Sequence, residues 1–177
     1  HWPNMLFAVK SRLHFPRMRE IFFTKEPWRL QGDGDFTGTF RLYNGGHNVS
    51  GKFTGQNAGV NALQFPGLFG ALQWNEHGFD VWNAGAKFYG GDAQFQYSIK
   101  PFGEPTEPTQ RFDATVAHTD LAPFTDLELT PKGLHFGGAA DGHVYLEWPS
   151  GHFNQRRGGG HVVVTPPAGV ALMTPSL

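Results

Sequence analysis

Between Trp28 and Tyr43 the chain alternates for sixteen residues. Trp28, Leu30, Gly32, Gly34, Phe36, Gly38, Phe40 and Leu42 form one row, and Arg29, Gln31, Asp33, Asp35, Thr37, Thr39, Arg41 and Tyr43 form the other. A period of two over such a length predicts a long β-strand with one apolar and one wet face. Three of the eight apolar-row positions are glycine, a residue that weakens a strand and packs nothing. At ~3.3 Å per residue such a strand approaches ~50 Å, far beyond the usual ~17–20 Å.

Strand signals recur along the chain. Phe7, Val9, Leu13 and Phe15 alternate with Ala8, Lys10, Arg12 and His14. Pro16–Phe23 opens with proline and spaces Met18, Ile21 and Phe22 as a short amphipathic helix does. Asn44-Gly45-Gly46 predicts a turn into a strand carrying Val49, Gly51, Phe53 and Gly55. One or two strands surround Pro66-Gly67, and two more flank Tyr89-Gly90-Gly91, the second with Ala93, Phe95, Tyr97 and Ile99 in one row. With 24 Gly, 13 Pro and 17 Phe in 177 residues, the composition agrees with an all-β chain.

The proline-rich stretch 101–110 divides the sequence into a first unit, 1–100, and a second, incomplete unit, 111–177. After it the pattern returns as a strand, a short helix near Asp120 or Pro123, and a long strand with Leu134, Phe136, Gly138, Ala140, Gly142, Val144, Leu146 and Trp148 in its apolar row. A single shift of 104 residues lays Leu30 on Leu134, Gly34 on Gly138, Gly38 on Gly142, Phe40 on Val144 and Leu42 on Leu146. Tandem long strands predict an elongated sheet that grows by adding units.

Several function classes find no support. A formal net charge of -1 gives no general field toward nucleic acid. No cysteine is present, so disulfides and thiolate metal sites are excluded. No apolar run reaches the ~20 residues of a membrane helix. Asp33 and Asp35 share a polar face and read as solvated, as do Glu104 and Glu107 in their proline-rich loop. No serine or threonine has a histidine and an acid recognisably placed around it, and no phosphate-binding loop occurs. Nine histidines include no ligand spacing. His135 and His143 stand eight residues apart, and the nine-residue recurrence of His143, His152 and His161 reads as coincidence. The Arg-Gly-Gly string in 154–161 reads as a loop, and Asn48-Val49-Ser50 is a sequon in form only. No enzyme, metal or cofactor is expected. The sequence begins at His1 and reads as a segment of a longer protein.

The pieces "WRLQGDGDFTGTFRL", "GKFTG", "VWNAGAKFYGGDAQFQYSI", "FDATVAHTDLAPFTDLEL" and "GLHFGGAADGHVYLEWPSGHF" resemble the AsmA-like superfamily, and within it the TamB (translocation and assembly module) envelope proteins of Gram-negative bacteria. Phe88-Tyr89-Gly90-Gly91 is the most distinctive element. The resemblance implies a strongly curved, taco-like antiparallel sheet with an apolar trough and one or two short helices. It implies a periplasmic, non-catalytic role in outer-membrane biogenesis, with a membrane anchor elsewhere in the parent protein. The partners would be phospholipid or another acyl-chain lipid, and outer-membrane assembly proteins.

On this view Trp28, Leu30, Phe36, Phe40, Leu42, Phe53, Phe95, Tyr97, Leu134, Phe136, Val144, Leu146 and Trp148 line the trough. Gly32, Gly34, Gly38, Gly138 and Gly142 allow its curvature and keep its floor low. Each buried methylene of a lipid gains ~0.8 kcal/mol. Phenylalanine at Gly34 or Gly38 is then expected to block lipid while leaving the sheet folded. The alternative is a β-sandwich whose glycines relieve crowding between two packed sheets. Such a module would bind carbohydrate by stacking sugars on Trp74, Trp82 and Tyr89.

Overall fold

The computed structural model describes residues 4–103, 105–123 and 137–167. Leu134, Phe136, Glu104, His135 and His1 lie outside them.

The alternating stretches become strands, and nearly every turn signal joins neighbours. The order is β1 (Met5–His14), α1 (Phe15–Phe22), β2 (Leu30–Tyr43), β3 (Gly46–Val60), β4 (Leu63–Gln64), β5 (Phe69–Asn75), β6 (Gly78–Phe88), β7 (Gly91–Lys100), β8 (Thr109–Asp120), β9 (Ala139–Pro149) and β10 (Arg157–Thr165). A 3-10 turn, Phe153–Gln155, precedes β10. All ten strands form one antiparallel sheet that meanders β1-β2-β3-β5-β6-β7-β8-β9-β10, with the short β4 beside β3. The chain is therefore all-β, an open curved sheet rather than two packed sheets. Residues 101–110 connect β7 to β8, which pair directly from Asp92↔Ala117 to Lys100↔Thr109, so the sheet runs unbroken across the proline-rich stretch.

Directly paired residues point to the same side, so the register defines two faces. Phe7↔Phe40, Phe40↔Val49, Val49↔Trp74, Trp74↔Phe79, Phe79↔Ile99, Ile99↔Gln110 and Gln110↔Trp148 trace one apolar row from β1 to β9. The opposite face carries Lys10, Thr37, Lys52, Asp80, Ser98, Arg111 and Glu147.

Irregularities in the ladder bend the sheet. The register shifts at Gln31/Asp33, Phe69/Ala71, Val81/Ala84 and Val116/Thr119, and an extra residue bends its strand and increases twist. Three of these sites hold a left-handed residue that is not glycine: Asn57 (φ 53°), Asn83 (φ 48°) and His118 (φ 54°). The sheet turns far enough that Trp28, just before β2, meets Trp148 near the end of β9 with ring centroids 5.7 Å apart.

Boundaries shift from the sequence expectation for local reasons. Phe15 starts the helix rather than ending the strand, because Pro16 occupies a first-turn position where its missing N–H costs nothing. The helix stops at Phe22, and Phe23 leaves the helical region at φ -127°, ψ 28°. Ile21, expected on the buried side, is 61% exposed, and the inward stripe is Phe15, Met18 and Phe22. The last long strand begins only at Ala139, after Gly138 at φ +115°. Ala122 and Pro123, near the expected start of the second short helix, are helical, and the rest of that expected helix lies outside the described residues.

Candidate functional site: an apolar groove crossed by a strap

The helix and the segment after it, residues 15–29, lie on the apolar face. Phe22 stacks on Phe79 with centroids 4.3 Å apart and meets Trp74 edge-on at 5.2 Å. Phe23 reaches Tyr97 at 5.6 Å, and Trp28 packs on Trp148 and on Phe153 at 5.1 Å. Under this strap is the buried core of Phe36, Phe53, Leu72, Phe79 and Ile99. A single sheet has no partner layer for its apolar face, and here the strap supplies one over the middle of it.

Polar groups tie the strap across the groove. The Arg19 guanidinium donates to the carbonyls of Trp28 (2.8 Å) and Glu26 (2.9 Å), which closes the segment on itself. Glu26, only 1% exposed, accepts a hydrogen bond at Oε1 from the Gly151 N–H (2.7 Å) and another from Gln110 Nε2. Gln110 is fully buried, also donates to Ser150 Oγ (2.9 Å), and accepts from the Tyr97 hydroxyl. Burial, and then the negative charge of Glu26, push the Tyr97 hydroxyl pKa well above its ordinary value. Glu26 Oε2 is buried with no hydrogen-bond partner among the described residues. Such a cluster is costly unless satisfied. It fixes where the strap lands on β8 and the β9 end.

The candidate lining residues separate into two groups. Phe36, Phe53, Tyr97, Trp148 and Trp28 form the strap-covered part, with Leu30 half-buried beside Val60 where β2 begins. Phe95, Val144 and Leu146, together with Phe112 and Val116, share the same face on β7, β8 and β9 and stay partly exposed. Phe40 and Leu42 lie half-buried toward the β1 edge, where Phe40 stacks on the 47% exposed Phe7 at 6.2 Å. The groove is thus filled in the middle and open along β7–β9.

The glycines of the apolar row divide too. Gly32 (φ +92°) faces the bulge at Asn57, and Gly138 has φ +115°. Gly34 and Gly38 instead make room: a Cβ at Gly34 would lie 2.1 Å from Thr54 O and 3.0 Å from the Phe15 ring, and one at Gly38 2.1 Å from Ser50 O and 2.8 Å from the Phe36 ring. A Cβ at Gly142 would lie 2.8 Å from His161 O. The expectation that phenylalanine at Gly34 or Gly38 leaves the sheet folded is corrected, because even a methyl group collides with backbone. The apparently bare face is occupied at Gly34 by the Phe15 ring and at Gly38 by the Phe36 ring.

The remaining sequence candidates are dispersed. Asp33 pairs with His14 at 2.7 Å while Asp35 is exposed. Among the described residues no group of three His, Asp or Glu side chains could hold a metal ion. His143 and His161 turn out to be cross-strand neighbours with rings 6.2 Å apart, whereas His152 faces Glu107 at 3.6 Å. Trp74 lies on the apolar face and Trp82 on the polar one, and Tyr89 occupies the β6–β7 turn, so these rings share no surface. Sequence inspection missed Glu26 and Gln110. The available signal was Gln110 itself, a lone amide in the apolar row Gln110, Phe112, Ala114, Val116. Among the described residues no helix is long and apolar enough to cross a membrane. Neither protein-family models nor curated proteins nor solved structures yield a match to this chain.

Proposed function

We propose that this chain is a segment of an AsmA/TamB-type envelope protein, and that its apolar groove shields lipid acyl chains between the inner and outer membranes. The supporting observation is the continuous apolar face from β1 to β9, half-open at Phe95, Phe112, Val116, Val144 and Leu146. An acyl chain laid along it needs no polar chemistry and gains ~0.8 kcal/mol for each methylene it buries. The role is non-catalytic, the setting periplasmic, and the parent protein membrane-anchored; outer-membrane assembly proteins are a second class of partner.

The test is solvent extraction of the chain purified from a bacterium, with mass spectrometry of the extract. Stoichiometric phospholipid is expected, and the Val144→Glu variant, which places a charge in the open reach, should lose it while keeping its β circular-dichroism spectrum. An empty wild-type chain, or equal lipid in both, overturns the proposal.

A further inference from the structure

The polar face holds a depression of about 440 Å³ over β5–β9, within the range of small-ligand sites. Its floor follows the register Gln73↔Asp80, Asp80↔Ser98, Ser98↔Arg111, Gln96↔Asp113 and Asp113↔Tyr145. Trp82 stands on one side, at the Val81/Ala84 bulge beside left-handed Asn83, and Tyr145, 36% exposed, on the other. A bulge re-aims side chains, and this one helps place an indole on an otherwise polar face. Trp82 makes no ring contact with another aromatic among the described residues, so ring packing with its neighbours does not account for it.

The ionisable side chains around the depression have partners within the protein. Lys100 pairs with Asp80 at 2.7 Å, Arg111 with Glu147 at 2.7 Å, and His143 with Asp113 at 3.0 Å. The Tyr145 hydroxyl donates to Glu147 at 2.8 Å, which fixes its ring. An ionic ligand would compete with these pairs for the same charged groups. What remains is neutral: the Gln96 amide and Ser98 hydroxyl have no side-chain hydrogen bond among the described residues, and Gln73, which donates to Asn48 Oδ1 at 2.8 Å, keeps its carbonyl oxygen. Two amphipathic rings with amides and a hydroxyl between them suit a ligand with apolar C–H faces and a rim of hydroxyls.

We infer that the depression between Trp82 and Tyr145 binds a neutral saccharide, its pyranose faces against the two rings and its hydroxyls on Gln96, Ser98 and Gln73. The site is on the opposite face from the groove and does not depend on the groove's role.

Cellotetraose, maltotetraose and chitotetraose, with a heparin octasaccharide as the anionic comparator, test this on the full chain by saturation-transfer NMR and tryptophan fluorescence. At least one neutral glycan should bind with a dissociation constant between ~0.1 and ~1 mM. Affinity should fall roughly tenfold or more in Trp82→Ala and measurably in Gln96→Ala, an exposed position that decides the matter if Trp82→Ala does not fold. Val144→Glu, in the groove, should leave sugar binding unchanged. No binding by any neutral glycan, binding by the heparin fragment alone, or affinity that survives Gln96→Ala together with a folded Trp82→Ala, overturns the inference.

Discussion

Replacing Glu26 by alanine removes the group that ties the strap to the far side of the groove. The carboxylate accepts from Gly151 N–H at 2.7 Å and from Gln110 Nε2. Truncation deletes a charge-assisted bond from Gln110, about 1.5–3 kcal/mol, and leaves the Gly151 N–H without its acceptor, about 1–3 kcal/mol. The buried carboxylate carries a desolvation cost that disappears with it, and Gln110 keeps Ser150 Oγ at 2.9 Å. A net loss of about 2–3 kcal/mol follows, which at ~2–4 °C per kcal/mol for a chain of this size lowers the melting temperature by roughly 4–12 °C. Glu26→Gln keeps an acceptor oxygen for Gly151 and Gln110 but sets an amide NH2 where Oε2 has no partner, so it should cost about 1–2 kcal/mol, less than alanine. Calorimetric melts give the first readout. Amide exchange gives the second, since the Glu26 N–H, bonded to Phe23 O at 3.0 Å, and the Gly151 N–H should exchange faster in the alanine variant. An alanine variant that melts within ~1 °C of the parent, or a glutamine variant as damaged as the alanine one, refutes the tie.

Gly38→Ala should destabilise the chain by ~1–3 kcal/mol or more, because its methyl group would sit 2.1 Å from Ser50 O, whereas Gly159→Ala meets nothing within 4 Å and should be neutral; equal urea midpoints for the two would contradict the close-approach account. The Glu76 carboxyl is held below its ordinary 4.5, first by a backbone hydrogen bond and further by the Tyr43 hydroxyl and the His47 N–H. Its contribution to the junction of the β2–β3 and β5–β6 turns is therefore complete above about 4.5 and lost as the pH falls through the lower folded value; an NMR titration midpoint at or above 4.5 would contradict this. Strand β10 ends the sheet with Val162 and Val163 each 62% exposed and Val164 46% exposed, so the chain should associate with rising concentration and Val163→Lys should suppress it. Sedimentation velocity decides, and a wild-type chain monomeric at every concentration reached would count against it.

The fold was legible where periodicity is strict. Residues 30–43 announce β2, and the Asn44-Gly45-Gly46 and Tyr89-Gly90-Gly91 signals mark true hairpin turns. That the described apolar rows of β2, β7 and β9 share one face was readable for the same reason, since cross-strand pairing keeps one parity on one face. What stayed hidden depends on contacts distant in sequence. Gly34 and Gly38 read as empty floor because the Phe15 ring that covers one is brought there only by α1, and the Phe36 ring beside the other lies along its own strand. The tie between Glu26 and Gln110 spans 84 residues and leaves only a lone amide in an apolar row as its trace. The bulges at Asn57, Asn83 and His118 have no strong local signal, because each is set by register with the partner strand.

Site-specific photo-crosslinking reports whether lipid occupies the apolar face. A benzophenone amino acid replaces Phe112, on the half-open inner row, or the adjacent Arg111, on the polar face. After irradiation in a living bacterium, the purified chain is analysed by mass spectrometry. Phospholipid adducts at position 112 and none at 111 are predicted. Adducts at neither position, or equally at both, would contradict the account.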